Sequence, residues 1–277
     1  MRKVIVSLVV AAMALIGLAG CGDGDDEPTT AGPAGEIALV TADTLTVGTN
    51  LPAPGFWNGD DPSSMTGGYE YAIAQDIARR LGLSKGVKVE NVSFDALVAG
   101  QAQGFDIALS QVTITADRKA VVDFSVPYFS SDQGILVNKG TQVPDLAAAK
   151  GLQWGVQQST TAQTFLDNVV KPAKETRVYG ETTQAFTALQ ARQVDAVLLD
   201  TAIVLAQAAQ PGSPFAVAGQ FASGDAYGAV LAKGSTILGA IDEQLTAMRD
   251  DGTLERLISQ YLTPEYGADP TKVPYVK

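Results

Sequence analysis

The sequence predicts an α/β fold built on mainly parallel sheets. Short runs of β-branched and aliphatic residues, typical of strands, alternate with longer stretches whose apolar residues recur at helical spacing. The helical stretches are long enough to connect parallel strands. The sequence has no repeat of short fixed period, so a solenoid is not expected. These observations together indicate strands joined by helices.

The predicted elements follow one another in chain order. The first strand is 46–49 and the first helix is 71–83, with Gly82 near the end of the helix. The other strands are predicted at 87–92, 106–110, 134–137, 153–156, 196–199 and 229–232. The other helices are predicted at 94–103, 160–170, 183–191 and 236–261, the last with a break at Asp251 and Gly252.

The composition excludes most common enzyme sites. The 277 residues include one cysteine and no histidine, so there is no Ser-His-Asp or Cys-His machinery, no histidine-ligated zinc and no internal disulfide. Thirty acidic residues outnumber 19 basic ones, and the net charge of −11 argues against a nucleic-acid-binding surface. We therefore expect no cofactor, no metal site and no nucleic-acid partner.

The first residues resemble a bacterial lipoprotein signal peptide. A short basic segment, Arg2 and Lys3, precedes the almost continuously apolar residues 4–18, and small residues lead to the only cysteine, Cys21. This apolar run is shorter than the roughly 20 residues that span a membrane, which favours a signal peptide over a transmembrane anchor. The resemblance implies removal of residues 1–20 and attachment of acyl chains such as palmitate to Cys21.

Residues 21–36 are predicted to form the lipidated cysteine and a flexible tether. Residues 22–36 contain no aromatic and no β-branched aliphatic side chain, so they cannot bury enough apolar surface to order themselves. We expect the mature protein to lie outside the cytoplasm, anchored by lipid to the outer face of the cell membrane or held in the periplasm.

Several later segments match one family in order and spacing. They are 67–74 (GGYEYAIA), 105–108 (FDIA), 113–118 (TITADR), 122–128 (VDFSVPY), 155–161 (GVQQSTT), 195–200 (DAVLLD), 226–229 (AYGA) and 251–254 (DGTL). On these residues the chain resembles the bacterial extracellular solute-binding proteins of family 3, the capture subunits of ABC importers for polar amino acids. The resemblance covers nearly all of residues 45–263.

The resemblance implies a type II periplasmic-binding-protein fold, with two α/β lobes joined by two crossover strands. Lobe 1 is expected to comprise residues 37–133 and 227–277, and lobe 2 residues 134–226. The ligand would bind in the cleft between the lobes, and because both lobes contact it, binding would favour the closed form by hinge motion.

A free amino acid needs one partner for its carboxylate and one for its ammonium group. Arg118, at a predicted strand-to-helix transition, can hold a carboxylate with two parallel hydrogen bonds, although an isolated arginine there could equally be solvated. The resemblance favours the binding role. It also implies that Thr113 contacts the ligand through its hydroxyl and amide groups, and that Gln111 offers its backbone carbonyl to the ammonium group.

The second lobe supplies the remaining predicted contacts to the charged groups of the ligand. Thr160 and Thr161 begin a predicted helix and, by resemblance, contact the ligand carboxylate; Ser159 stands where the family usually has glycine. Asp200 ends a predicted strand and, by resemblance, is the counter-ion of the ammonium group. It could also cap the helix that follows.

The contacts to the ligand side chain are less clear from the sequence. Phe56 and Trp57 lie in a loop rich in proline and glycine where family members place an aromatic wall, but core packing would explain both residues equally well. Asn50 stands where the family usually has an aspartate, which argues against a strongly cationic ligand.

We therefore expect a substrate-binding lipoprotein that captures a free amino acid or a close analogue, delivers it to an ABC permease and its ATPase, and catalyses no reaction. It is expected to be a monomer that touches the membrane only through its lipid. Two alternatives stay open. One is a cleft enzyme on the same fold, related to dehydratases, although no motif places a second acid beside Arg118. The other is a ligand-sensing lipoprotein that signals to a membrane receptor.

Overall fold

The computed structural model describes residues 38–266 and 273–277. The predicted signal peptide, residues 1–20, and the predicted tether with Cys21, residues 21–36, lie outside this part of the chain. Within the described residues, no helix combines the length and the apolar content needed to cross a membrane.

The first part of the chain forms three parallel strands and three helices. These are β1 (Leu45–Thr49), α1 (Tyr69–Arg80), β2 (Val87–Asn91), α2 (Phe94–Val98), β3 (Ile107–Ala108) and α3 (Ala116–Val121). β1 pairs in parallel with β2 on one side and with β3 on the other. α1 begins directly after Gly68, whose φ of 120° favours glycine. A Cβ atom at Gly68 would lie 2.3 Å from the carbonyl oxygen of Phe56, so glycine also permits a close backbone approach.

The middle of the chain repeats this arrangement after one long strand. Its elements are β4 (Val122–Asn138), α4 (Leu146–Gly151), β5 (Trp154–Gln157), α5 (Thr161–Phe165), β6 (Arg177–Tyr179), α6 (Thr182–Gln190), β7 (Ala196–Asp200) and α7 (Thr201–Ala209). β5 pairs in parallel with β6 and with β7. α5 continues into a π-helical segment, Leu166–Val170, so the predicted helix over 160–170 is confirmed in two parts.

The last part of the chain, as far as the structure describes it, adds a second long strand, three α-helices and a π-helical segment, Ile258–Leu262, between the last two helices. These are β8 (Phe215–Ala232), α8 (Leu238–Asp250), α9 (Thr253–Leu257) and α10 (Thr263–Tyr266). Gly252, with φ of 74°, separates α8 from α9, which confirms the break predicted at Asp251 and Gly252.

The two long strands are the largest difference from the predicted elements. β4 has 17 residues and β8 has 18, and they pair antiparallel along nearly their whole length. The sequence predicted only 134–137 and 229–232 as strands in these regions. The polar residues and Pro127 in the unrecognised parts break the usual strand pattern, and the register shifts around Pro127 show how the ladder accommodates them.

β4 and β8 cross the molecule and join two α/β lobes. The strand order in the sheet is β2-β1-β3-β8-β4-β7-β5-β6, so we call the part around β1–β3 the first lobe and the part around β5–β7 the second lobe. Each lobe has its own buried core, one containing Ile73, Ile77 and Ile241 and the other containing Trp154 and Leu189. The predicted α/β fold with mainly parallel strands in each lobe is confirmed.

Helix α7 contacts both cores. Ala202 and Leu205 belong to the first core, while Val204 belongs to the second. This helix follows β7 of the second lobe directly, so it brings side chains of that lobe against the first lobe.

The final described residues, 273–277, contact both lobes. The backbone of Gln220 donates to the carbonyl of Pro274 and accepts from the amide of Val276, both at 2.9 Å. The amide of Leu146 donates to the carbonyl of Lys277 at 3.0 Å. Val273 packs against the first core and Val276 against the second. The predicted lobe boundaries stay a prediction.

Candidate functional site

A cavity of about 90 Å³ lies between the two lobes, at the carboxyl ends of four strands. Asn50 follows β1, Ser110 and Gln111 follow β3, and Gln157 and Asp200 end β5 and β7. Open α/β sheets bind ligands at this edge, where loops diverge and leave a crevice. A single water needs about 10–15 Å³ of such volume, so the cavity has room for a ligand much larger than a water.

Most of the predicted ligand-binding residues line this one cavity. They are Asn50, Phe56, Gln111, Thr113, Arg118, Thr160, Thr161 and Asp200. Trp57 is the predicted residue that does not line it. Residues that are 150 positions apart in the sequence thus meet in a space that one small molecule would fill.

The Arg118 side chain is buried at the cavity wall. Its Nη1 donates to the carbonyl of Thr113 at 2.7 Å, and its Nη2 donates to the carbonyl of Ser159 at 2.9 Å. These partners are neutral carbonyls, and the guanidinium group has five N–H donors in all, so donors remain for a ligand. Burial lowers the pKa of Arg118, and the charges of Asp200 and Asp225 oppose that effect. A buried cation held by carbonyls is well placed to bind an anion.

Helix α3 and the turn after β5 position this guanidinium group. Thr115 caps α3 by accepting from the Arg118 amide at 3.2 Å. Ser159 adopts φ of 61°, a left-handed conformation that favours glycine, so it has the backbone geometry expected of the glycine usual in the family. Its hydroxyl donates to Asp95 Oδ1 of α2 at 2.6 Å. Arg118 and Asp95 of the first lobe therefore both contact Ser159 of the second lobe.

The Asp200 carboxylate is buried on the opposite lobe. It accepts from the Tyr227 hydroxyl at 2.6 Å and from the Gln133 amide at 2.9 Å. Burial raises the pKa of Asp200 to about 6; the Tyr227 and Gln133 hydrogen bonds and Arg118 act to lower it, and Asp225 acts to raise it. Asp200 precedes α7, but its side chain makes no capping hydrogen bond. The Asp200 side chain therefore does not cap α7.

The predicted threonines occupy the start of α5. Thr160 is the N-cap residue, and its hydroxyl accepts from the Gln163 amide at 3.2 Å while donating to the Gln157 carbonyl at 2.7 Å. The Thr161 hydroxyl accepts from Gln133 at 3.2 Å. The prediction that a helix begins at these two residues is confirmed. Contact of either residue with a ligand carboxylate stays a prediction.

Gln111 adopts a left-handed backbone with φ of 50° and is held by a buried glutamate. Glu70 Oε1 accepts from the Gln111 amide at 2.9 Å, and the Gln111 side chain donates to Oε2. Trp57 and Tyr128 also donate to Glu70, which is fully buried. Burial raises the pKa of Glu70 to about 7, and these four hydrogen bonds act to lower it. Glu70 thus fixes the loop that carries Gln111 and Thr113.

Sequence reasoning did not assign a role to Glu70. The residue stands in the segment 67–74 on which the resemblance partly rests, but the pattern there is that of an amphipathic helix. An acid in the first turn of a helix usually faces solvent. The available signal was its place next to Tyr69, within a run of otherwise apolar residues.

The two aromatic residues of the loop after β1 have different roles. Phe56 lines the cavity and packs edge-on against the rings of Phe129 and Tyr227, with ring centroids 5.7 and 6.1 Å apart. Trp57 instead turns away, and its indole N–H donates to Glu70 at 2.7 Å and to the Leu109 carbonyl at 3.1 Å. Trp57 does not line the cavity and takes the core-packing role that the sequence had left open, because its indole N–H needs a buried partner.

Other cavity residues were not predicted from the sequence. They come mainly from α2, α6 and α7 and include Phe94, Thr182, Thr183, Phe186, Ile203 and Gln207. The Phe94 ring lies beneath the Arg118 guanidinium group, with Cζ 5.4 Å from the ring centroid. These residues belong to ordinary amphipathic helices, so nothing in their local pattern indicates a site.

This arrangement defines a class of protein. Two α/β lobes are joined by two long antiparallel strands, and the small cavity between them presents a buried cation from one lobe and a buried carboxylate from the other. Such a cavity can hold a molecule that carries both charges, as a free amino acid does.

The chain belongs to the bacterial extracellular solute-binding proteins, family 3, whose sequence model matches residues 45–264. It therefore has the two-lobed type II periplasmic-binding-protein fold.

Relatives with known ligands and a solved structure agree with this assignment. The chain is 30% identical over 233 residues to the L-cystine-binding protein TcyJ of Escherichia coli (strain K12), covering 83% of this chain and 85% of the relative. It is 27% identical over 272 residues to the ABC transporter glutamine-binding protein GlnH of Bacillus subtilis (strain 168), covering 95% and 98%. The structure of an ancestral arginine-binding protein bound to glutamine matches with a TM-score of 0.71 and 32% identity, covering 80% and 98%.

Proposed function

We propose that this protein is the substrate-binding component of an ABC importer and that it captures a free α-amino acid in the interlobe cavity. The ligand carboxylate would bind Arg118 and the hydroxyl and amide groups of Thr113, Thr160 and Thr161. The ligand ammonium would bind Asp200 and the Gln111 carbonyl. Both lobes contribute, so only the closed form completes the site.

One observation carries this proposal. Arg118 and Asp200 line the same small cavity, and each is buried with neutral hydrogen-bond partners. Burying an ionised group without a counter-ion is costly, and a zwitterion supplies both missing counter-ions at once. The relatives that bind cystine and glutamine support an amino acid as the ligand.

We further propose that Cys21 carries acyl chains that tether the protein to the outer face of the cell membrane or within the periplasm, as a monomer without catalytic activity. The closed form would be recognised by a permease coupled to its ATPase. Replacing Cys21 by serine is expected to release the protein from the membrane fraction and to leave ligand binding unchanged. Retention of that variant in membranes would contradict lipid attachment at Cys21.

Binding can be tested with the full chain purified in detergent. At least one of the twenty amino acids is expected to raise the melting temperature, because a ligand that binds only the folded state stabilises it. Arg118→Ala and Asp200→Ala should each then lose about 3–5 kcal/mol of affinity in calorimetric titration. Arg177→Ala removes an exposed arginine of β6 and serves as the matched control. Near wild-type affinity in both cavity variants would contradict the proposed site.

The same preparation separates the two alternative functions. An amino acid recovered unchanged after long incubation supports a binding protein, whereas turnover detected by NMR would favour a cleft enzyme. Deletion of the gene is expected to abolish uptake of the ligand by whole cells. Uptake that persists while a ligand-dependent response is lost would favour a sensor.

A further inference from the structure

The charged residues around the cavity form a very small set. Of the described residues that line it, Arg118 and Asp200 are the ones that carry a formal charge. The other polar lining residues are amides or hydroxyls: Asn50, Gln157, Thr182, Thr183 and Gln207 among them. The apolar lining includes Phe56, Phe94, Phe186 and Ile203. The cavity wall thus presents one positive group, Arg118, and one negative group, Asp200, among uncharged residues.

Three carboxylates close to the site accept hydrogen bonds from protein groups. Glu70 lies behind the Gln111 loop and accepts four hydrogen bonds. Asp225 accepts from Gln133, whose amide also donates to Asp200, at 2.7 Å and lines a neighbouring cleft that shares Arg118 with the cavity. Asp95 accepts from the Ser159 hydroxyl. None of these three lines the cavity, so they do not provide a further counter-ion inside it.

The backbone charges of a bound amino acid would use both charged residues. Its carboxylate takes Arg118 and its ammonium takes Asp200, and an additional charge on the ligand side chain would then be buried among amides, hydroxyls and rings. A buried charge without a counter-ion is strongly disfavoured, and binding sites reject unsuitable ligands in this way.

We propose that the ligand is an α-amino acid whose side chain is uncharged at neutral pH. This inference rests on the proposed function and narrows it. Neutral polar side chains can exchange hydrogen bonds with the lining amides and hydroxyls, and apolar ones can contact the phenylalanine rings. Cationic and anionic side chains find no complement.

The test uses pairs of nearly isosteric amino acids that differ in side-chain charge. Titrations of the full chain would compare glutamine with glutamate, asparagine with aspartate, and citrulline with arginine, together with the rest of the twenty amino acids. The tightest ligand is expected to be neutral in its side chain. In any pair that binds, the neutral member should be tighter by about a hundredfold or more, since the charged member buries an unpaired charge.

A variant that adds a charge to the lining tests whether the preference for neutral side chains comes from the lack of a counter-ion. Gln207→Glu places a carboxylate in the lining and is expected to shift the affinity ratio of arginine to citrulline toward arginine by about tenfold or more. Gln193→Glu adds the same charge at an exposed position and should leave the ratio unchanged.

The inference and the proposed function fail in different ways. A tightest ligand with a charged side chain, or a charged member that equals its neutral partner, would overturn this inference while leaving amino acid capture intact. An unchanged ratio in Gln207→Glu would contradict the charge argument. If no amino acid binds, the proposed function fails and this inference fails with it.

Discussion

Two buried carboxylates in this protein, Glu70 and Asp200, have similar surroundings but different roles. Each accepts a hydrogen bond from a tyrosine on one of the long crossover strands, Tyr128 of β4 for Glu70 and Tyr227 of β8 for Asp200. Burial is the first cause of a raised pKa in both, to about 7 for Glu70 and about 6 for Asp200. Neither accepts a hydrogen bond from a described cation.

They differ in how completely the protein satisfies them. A carboxylate has about four acceptor sites, and Glu70 receives four donors: the Trp57 indole, both Gln111 groups and the Tyr128 hydroxyl. Asp200 receives two, from Tyr227 and Gln133, and lines the cavity. Glu70, whose acceptor sites are all used and which lies outside the cavity, stabilises the framework. Asp200, at the cavity wall, has acceptor sites left for a ligand. Depth of burial by itself does not separate these roles.

The largest expected effect comes from Asp200→Asn. The amide has the same shape but no charge, so the ligand ammonium would be buried without a counter-ion. We expect an affinity loss of about 3 kcal/mol or more, roughly a hundredfold or greater. The unliganded variant should melt no lower than the wild type at neutral pH, because ionising the buried acid is unfavourable. A variant that binds normally would place Asp200 with Glu70 among the framework residues.

The next effect is the loss of stability in Glu70→Gln. The new amide presents N–H groups to donors that now require an acceptor, so one or more buried donors lose their partner. We expect the free energy of unfolding to fall by about 2–3 kcal/mol, measured by urea denaturation without ligand. The affinity of the folded fraction should change less than in Asp200→Asn. A larger loss of affinity in Glu70→Gln than in Asp200→Asn would contradict the different roles assigned to the two acids.

The pH dependence of binding is expected to follow Asp200. The ligand carboxylate stays ionised and its ammonium stays protonated between pH 5 and 8, while the raised pKa of Asp200, about 6, lies within this window. Affinity should therefore fall as the pH drops below about 6, approaching tenfold per unit, and Asp200→Asn should show no such fall. The groups facing this carboxylate are Tyr227, Gln133, Asp225 and Arg118. A flat wild-type profile would contradict the assignment.

Stability without ligand should move in the opposite direction with pH. Both acids have folded-state pKa values above their ordinary ones, so the native state binds more protons than the unfolded state. Their contribution is most favourable below pH 4 and is lost as the pH rises through about 6 and 7. Denaturation of Asp200→Asn and Glu70→Gln at pH 5 and pH 8 would isolate this contribution from that of other groups.

The smallest expected effects separate the two tyrosines. Tyr227→Phe removes a hydrogen bond that lowers the pKa of Asp200, so the low-pH loss of affinity should begin at a higher pH. At pH 7 the loss of affinity should stay below about 1 kcal/mol, because the Tyr227 bond is present with and without ligand and only the ionised fraction of Asp200 changes. Tyr128→Phe is the matched control, and it should lower stability while leaving the pH profile of binding in place. If Tyr227→Phe and the wild type had the same pH profile of binding, Tyr227 would have only a structural role.

The sequence predicted the parts of the fold and site that depend on local pattern. The strand starting at 46 and the helix preceding Gly82 follow from apolar spacing and a terminal glycine. Arg118 and Asp200 were predictable because each lies in a segment that resembles the family, Arg118 at the start of a helix and Asp200 at the end of a strand. The end of a parallel strand is the ligand edge whatever the rest of the chain does.

The length of the crossover strands and the partners of the buried side chains required the structure. β4 and β8 extend through Pro127, Gly224 and several polar residues because each supplies the other with a ladder along most of its length, and that pairing joins residues about 100 positions apart. The sequence left Trp57 open between a cavity wall and the core, and it gave Glu70 no role. They form a buried pair because the loop after β1 passes over the start of α1, where Gly68 permits the approach.

The sequence by itself therefore determined the class of fold, the order of the elements, and the presence of one cation at a helix start and one acid at a strand end. Only the tertiary structure decided how fully each buried acid is hydrogen-bonded, which aromatic residue lines the cavity, and that the described lining residues carry no charge besides those of Arg118 and Asp200. The physical reason is that strand and helix patterns are local, whereas hydrogen-bond saturation and exclusion of water depend on groups contributed by distant segments.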